Sequence, residues 1–294
     1  MIIYSKIRDY IELMKPELTG LSVLSCLCSF YLGSGQNPNI TAAIMVAAGT
    51  LLVGGGAGAL NEYFERRYDA LMKRTERRPI PSGRIVPLHA LVFGNSIGVV
   101  GLVVLAVFNN LLTAFLAALS LVTYLVLYTP LKRVAWWNTL VGAIPGALPT
   151  LVGWAAARNE ITVGGWVLFG ILFAWQIPHF LSLAWMYRKD YARAGFQMLP
   201  VIDHQGKRTS LHILTSSALL AAVSLFVTWI GMAGHFYLLT AIILGTGFMS
   251  FAVLFRVSTS GDRQATANGY SRRIFFSSLL YLPALMLAMV IDKV

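Results

Sequence analysis

The chain has 294 residues, of which 57% are hydrophobic and only 12% charged, with 23 Lys and Arg against 12 Asp and Glu. Soluble domains carry about twice that share of charge, so the composition excludes an ordinary soluble globule and points to an integral membrane protein. The net charge of +11 requires no nucleic acid, because basic residues collect on the cytoplasmic side of membrane proteins and against anionic membrane lipid.

Residues 1 to 17 read as a polar N-terminal interfacial segment, helical over about 4 to 14 and closed by Lys15-Pro16. Asp9 and Glu12 argue against a transit peptide, and a multi-pass protein of a prokaryotic cell (plasma or inner) membrane is expected. Residues 18 to 61, 85 to 131 and 209 to 255 contain no Asp, Glu, Lys or Arg, and each is long enough for two spans of about 20 residues. Breaks at residues 35 to 39, at Asn109-Asn110 and at residues 231 to 235 divide them; residues 134 to 157, 161 to 187 and 274 to 291 each fit one more. The sum is nine spans. With the N-terminus inside, the tail and the even-numbered loops hold all the cations except Arg158 and Lys293, so the C-terminus is expected outside. Cys26 and Cys28, two apart on the first span, point to different sides, which excludes a disulfide between them.

The second loop breaks this economy of charge. Residues 61 to 84, NEYFERRYDALMKRTERRPIPSGR, hold Glu62, Glu65, Asp69 and Glu76 together with Arg66, Arg67, Lys73, Arg74, Arg77, Arg78 and Arg84. On a helix, Asn61, Glu65 and Asp69 follow one another about 40° apart and share a face. Lys73 continues the row, and Arg74 and Arg78 follow at helical spacing before Pro79 and the Pro81-Ser82-Gly83 turn. Oxygen ligands followed by cations suit a magnesium-bound diphosphate, although a charge run at a helix end is more commonly a solvated face. Just upstream, Gly54-Gly55-Gly56 and Gly58 serve close helix packing in lipid and are expected also to leave room for a bulky ligand.

The fourth span ends at Tyr128-Thr129-Pro130-Leu131-Lys132-Arg133. Lys132 and Arg133 are either positive-inside anchors or contacts for an anionic group, with Tyr128 as a polar tip at the same level. Pro145 and Pro149 predict a kink in the fifth span. The sixth carries Trp175-Gln176-Ile177-Pro178-His179-Phe180, and a histidine at that depth is a functional candidate or half of a helix-to-helix hydrogen bond. Gln176, about 60° round the helix, is expected to share a cavity with His179, and Asp190 lies three turns further along nearly the same face. Residues 188 to 210 stand where residues 61 to 87 stand in the first half, which suggests two four-helix units plus a ninth span. The eighth loop, about 257 to 273, with Arg263, Arg272 and Arg273, reads as a solvated connection. A lipid diphosphate unites these features: magnesium among Asn61, Glu65, Asp69 and Asp190, the isoprenoid tail among apolar spans, and electrostatic stabilisation of the departing diphosphate.

At these residues the chain resembles the UbiA-type intramembrane prenyltransferases, in the form carried by their protoheme IX farnesyltransferase branch. The resemblance rests on Asn61, Glu65 and Asp69 with Met72-Lys73-Arg74-Thr75 and Arg78-Pro79-Ile80-Pro81-Ser82-Gly83. It extends to Lys15-Pro16, the Tyr128 to Arg133 and Trp175 to Phe180 motifs, Asp190-Tyr191, Gly195 and Met198-Leu199-Pro200. It implies one intramembrane domain over residues 1 to 294, all-α, with nine transmembrane helices around a central cavity and catalytic loops at residues 61 to 87 and 188 to 210. It further implies transfer of a farnesyl group from farnesyl diphosphate to the vinyl carbon of heme B, water completing the product. Most members carry aspartate-rich motifs in both loops; here the first starts with Asn61 and uses Glu65, and the second retains essentially Asp190. The implied roles are magnesium ligation by Asn61, Glu65, Asp69 and Asp190, and diphosphate or propionate binding by Lys73, Arg74, Arg78, Lys132 and Arg133, with Tyr128 and Gln176 beside the substrates. His179 would ligate the heme iron or activate water. A heme A synthase or a terminal oxidase is the kind of assembly partner implied. The alternatives are a prenyltransferase acting on an aromatic acid or quinol, and a transporter or lipid-binding protein whose basic loops hold polyanions.

Overall fold

Apolar runs of this length satisfy their backbone groups in lipid by closing into helices. The computed structural model describes residues 2–259 and 264–294, and no strand occurs among them. The order is α1 (Ile2–Leu13), α2 (Pro16–Gly33), α3 (Ile40–Asp69), α4 (Pro87–Phe108), α5 (Leu111–Val122), a π-helical turn (Thr123–Tyr128) and α6 (Thr129–Leu131). There follow α7 (Asn138–Arg158), α8 (Val163–Met186), the short α9 (Arg188–Arg193) and α10 (Leu199–Ile202), then α11 (Lys207–Trp229), α12 (His235–Thr259) and α13 (Gln264–Ile291). Among the described residues eight helical segments are long and apolar enough to cross a membrane: α3, α4, α5 to α6, α7, α8, α11, α12 and α13. Val107, Leu111, Phe115, Trp229 and Ile243 are among the side chains exposed on their outer faces, a surface that suits lipid. The protein is multi-pass. The first of the nine expected spans, α2, has 18 residues but is diluted by Glu17 and three serines.

α7 and α8 are the most buried of the eight, with α13, α2 and α11 packed round them. Close approach is built from glycine. A Cβ on Gly56 would lie 2.7 Å from the carbonyl of Gly94 on α4, and one on Gly58 would lie 3.0 Å from the carbonyl of Leu13 on α1. The glycine cluster of α3 is therefore occupied by α4 and by the α1–α2 junction, and the expected room for a ligand beside it is filled. Gly153 is tighter still: a Cβ there would come within 1.9 Å of the Cys26 carbonyl. Gly153→Ala is expected to force α2 and α7 apart and cost about 1–3 kcal/mol, read as a lower unfolding midpoint in detergent.

Two of the prolines are accommodated by hydroxyl groups. Pro149 cannot donate to the carbonyl of Pro145, and Ser120 Oγ donates to it instead at 2.8 Å. Pro130 likewise withholds a donor from the turn before it, where the helix widens into the π-helical turn, and Thr129 Oγ1 donates to the Tyr124 carbonyl at 2.9 Å. Nothing in the hydropathy pattern announces that turn.

Three sequence expectations change at the charged end. α3 stops at Asp69, because the Thr75 hydroxyl turns back to its carbonyl at 2.8 Å and residues 70–85 form a series of turns. Lys73, Arg74 and Arg78 therefore do not continue the helical row. A break at Tyr187 separates α8 from α9, so Asp190 does not extend the His179 face. Arg272 and Arg273 lie inside α13 and not in a solvated loop, while Arg263 lies outside the described residues.

Candidate active site

Asn61, Glu65 and Asp69 lie on one face of the last turns of α3, as their spacing of four predicts, and all three are buried. Each meets a cation from elsewhere in the chain. Lys15 Nζ donates to Asn61 Oδ1 at 2.6 Å, Lys132 Nζ to Glu65 Oε1 at 2.8 Å, and Arg78 to Asp69 Oδ2 at 2.8 Å. Asn61 Nδ2 donates to Thr129 Oγ1, which ties the row to the π-helical turn. The Tyr128 ring lies 4.6 Å from Lys132 Nζ, and its edge packs where a Cβ on Gly142 would otherwise stand. Burial disfavours the Lys132 ammonium, but adjacent Glu65 together with Tyr128 and Tyr124 raises the pKa above the ordinary lysine value. At Arg78 burial likewise opposes the charge, but Asp69 together with Glu62 and Glu65 raises the guanidinium.

The loop after α3 is fastened from below. Glu62, with 1% exposure, accepts the Ile80 N–H at 2.9 Å, which uses the stiff Pro79-Ile80-Pro81 segment to bring Arg78 back over Asp69. Arg84 pairs with both Asp9 and Glu12, so α1 is strapped to the same loop. Across the site, Met72 packs with Phe196 and Met198, and the Gln197 N–H donates to the Lys132 carbonyl at 2.8 Å. Arg74 is exposed, bonded to the Tyr191 hydroxyl and close to the rings of Tyr187 and Tyr191. The two charged loops therefore form one cover.

The remaining candidates lie apart from the row. Lys73 is exposed, and Arg133 is bonded to the Tyr68 hydroxyl at the rim. Asp190 pairs with Arg193 at 3.2 Å. Gln176 donates to Ala143 and Leu172 carbonyls and fills the space over Gly146, facing α7. His179 faces α13 instead, with Nδ1 2.7 Å from Ser278 Oγ and its ring stacked on Trp175 and Phe275. The two do not share a cavity; 60° of helix rotation directs them to different neighbours. Bonds from Trp175 to Ser278, Ser271 to Ser182 and Trp185 to Asn268 continue the α8–α13 seam. His179 thus packs against α13 through Nδ1 and its ring face, while its Nε2 has no hydrogen-bond partner among the described residues.

The family model described as "UbiA prenyltransferase family" matches residues 22–280. The chain belongs to the UbiA prenyltransferase family. Curated relatives include proteins called protoheme IX farnesyltransferase from Solibacter usitatus, 42% identical over 97% of this chain and 99% of that protein. Another of the same description, from Salinibacter ruber, is 43% identical over 97% and 98%. Among solved structures, a digeranylgeranylglyceryl phosphate synthase superposes with a TM-score of 0.79 at 17% identity, covering 97% of this chain and 99% of that one. A UbiA homologue from Archaeoglobus fulgidus bound to DMAPP and Mg2+ gives 0.69 at 14%, covering 96% and 99%. The shared fold and family make the protein a prenyltransferase, an enzyme.

Does this prenyltransferase carry a donor set that suits magnesium? Among the described residues no three His, Cys, Asp or Glu side chains converge on one point. Magnesium, however, is commonly held by one or two carboxylates with substrate phosphates and water supplying the other oxygens. Glu65 and Asp69, with the Asn61 amide oxygen, are hard oxygen donors of that kind, and Asp69 Oδ1 is buried without a hydrogen-bond partner. The residues fit the ion. A cavity of about 570 Å³ does occur, but it is an open apolar groove on α11 and α12 lined by Ala221, Gly245 and Met249, remote from the row.

The sequence assigned no site role to Lys15, Glu62, Thr129 or Gln197. For Lys15 a signal existed, a cation immediately before Pro16 at the start of an apolar span; the Gln197 main-chain contact left none.

Proposed function

We propose that this UbiA prenyltransferase transfers the farnesyl group of farnesyl diphosphate to the vinyl group of heme B, with addition of water, to give heme O. The observation that carries the chemistry is the buried Asn61, Glu65 and Asp69 row with Lys15, Arg78 and Lys132 against it. The heme acceptor is supported by relatives called protoheme IX farnesyltransferase at 37–43% identity along nearly the whole chain. Asn61, Glu65 and Asp69 would hold magnesium, with Asp190 assisting after closure of its loop. Bound magnesium supplies charge neutralisation at the diphosphate oxygens. Arg78 and Lys132 bind and orient the diphosphate, and Lys73, Arg74 and Arg133 at the rim meet its outer oxygens or the heme propionates. As the bond between the farnesyl C1 and its oxygen breaks, the electron pair leaves with the diphosphate, and the vinyl π-bond supplies the pair for the new carbon–carbon bond. Water adds to the adjacent carbon and loses a proton.

All of residues 1 to 294 act in this reading as one intramembrane unit, with the loops at 61 to 87 and 188 to 210 over the reaction. α2 is the ninth span. Its first end adjoins Asn61 through Lys15, and its far end meets the end of α13, where Lys293 Nζ donates to the Tyr31 and Ser34 carbonyls. Twenty of the 22 cations among the described residues then lie at the site end, which makes that end and the N-terminus cytoplasmic in the cell membrane.

The direct test is to incubate detergent-solubilised protein with heme B, farnesyl diphosphate and magnesium, and to analyse the extracted heme by chromatography and mass. A heme heavier by farnesyl plus water is expected, and chelation of magnesium should abolish it. Unchanged heme from folded protein would overturn the reading, with prenylated phenolic acids as the product to seek next. His179 is assigned to the heme through its free Nε2. His179→Ala should therefore lose heme binding, seen as loss of the heme absorbance shift; unaltered heme binding with no product would reassign it to activating water.

A further inference from the structure

The three members of the row are met by cations from three separate parts of the chain: the α1–α2 junction, the end of α6 and the loop after α3. Three basic side chains thus face this row, and with the buried carboxylate of Glu62 beside Asn61 the acids also number three, so the local charge is already balanced. With the carboxylates already matched by internal cations a bare divalent cation gains little, because each approach to Glu65 or Asp69 is also an approach to Lys132 or Arg78. Yet Asp69 Oδ1, beside the oxygen that Arg78 uses, is buried and has no donor, and a buried carboxylate oxygen without a partner is costly. The site has an acceptor for a cation, but its carboxylates are already matched by internal cations, which leaves little to attract one alone.

We propose that Lys15, Arg78 and Lys132 are exchangeable internal counter-ions, so that a divalent metal joins the row only together with a diphosphate, which draws these cations onto its own oxygens. The exchange rests on the reading of this row as a diphosphate site and specifies how that site loads. Lys15 is built for it. Its backbone is held in the left-handed region, φ 50° and ψ 62°, immediately before Pro16, a conformation that L-residues other than glycine adopt only under constraint. Thr19 secures the junction through its hydroxyl to the Met14 carbonyl at 2.6 Å and its N–H to the Lys15 carbonyl at 3.0 Å. With the backbone pinned, the flexible four-carbon stem can swing the ammonium from Asn61 to a phosphate oxygen without movement of any helix.

Equilibrium dialysis of the full detergent-solubilised chain tests this, with manganese as the metal probe and inorganic diphosphate as the anion, each counted as retained by protein. Diphosphate is expected to tighten manganese retention at least about tenfold. Lys15→Met should move the two ligands in opposite directions: manganese alone binds more tightly and diphosphate more weakly, while Lys15→Arg keeps the original pattern. A purely structural role for Lys15 would weaken both together and would overturn the proposal. Should Lys15→Met fail to fold, Arg78→Gln is judged by the same opposed signs. Manganese bound equally well with and without diphosphate, in protein that still retains diphosphate, overturns the exchange alone. Failure to retain diphosphate under any condition overturns the diphosphate site with it.

Discussion

Asp69→Asn is expected to lower turnover of farnesyl diphosphate and heme B by about 10³-fold, the size of effect that follows removal of one preorganised charge from a transition state. The substitution changes almost nothing in volume. The new amide oxygen can keep the contact with Arg78, whose side chain is 24% exposed and loses little if that contact lengthens. The amide nitrogen then takes the place of Oδ1, the buried oxygen that has no donor, and presents hydrogens where a metal ion or phosphate oxygens require an acceptor. The unfolding midpoint should hardly move, which separates loss of chemistry from loss of fold. Product formed within tenfold of the unsubstituted rate would remove Asp69 from the catalytic set.

Lys132→Met carries the largest expected loss of stability. Glu65 is 6% exposed and Lys132 is its ion-pair partner at 2.8 Å. Breaking a buried pair by removing one member leaves an uncompensated charge, at about 3–5 kcal/mol. Lys15 on the neighbouring Asn61 offsets part of this, so a value near the lower bound is expected. Pairing the change with Glu65→Gln removes the stranded charge, and the double variant should recover most of the midpoint, as buried pairs replaced on both sides often do. Activity should not return with it, since both a metal ligand and a diphosphate contact are gone. A Lys132→Met single variant as stable as the parent would mean that Glu65 reaches water or another donor.

Much of the fold was legible in the chain itself, for a physical reason: in lipid, backbone groups must be satisfied within the segment, so a charge-free run of sufficient length has few choices. The apolar runs therefore mark the helices, and the spacing of four places Asn61, Glu65 and Asp69 on one face wherever that helix sits in the bundle. The family motifs, read as residues at fixed separations, pointed to the same prenyltransferase family that the full-length comparisons support.

What the sequence could not settle depends on competition between neighbours. Charge alone did not say that Thr75 would cap α3 at Asp69 and turn Arg78 back onto it, because a helix continued through Lys73 is equally compatible with local propensity. Which way Gln176 and His179 face is decided by the small residue opposite, Gly146, and by the hydroxyl of Ser278. The glycines of α3 became contact surface only once α1 and α4 lay against them. The amino-acid sequence by itself determined a many-spanned membrane helix bundle and the identity and spacing of its acidic row. Only the tertiary structure decided which cation meets which oxygen, because those partners come from segments up to 67 residues apart and ion pairing acts through distance in space.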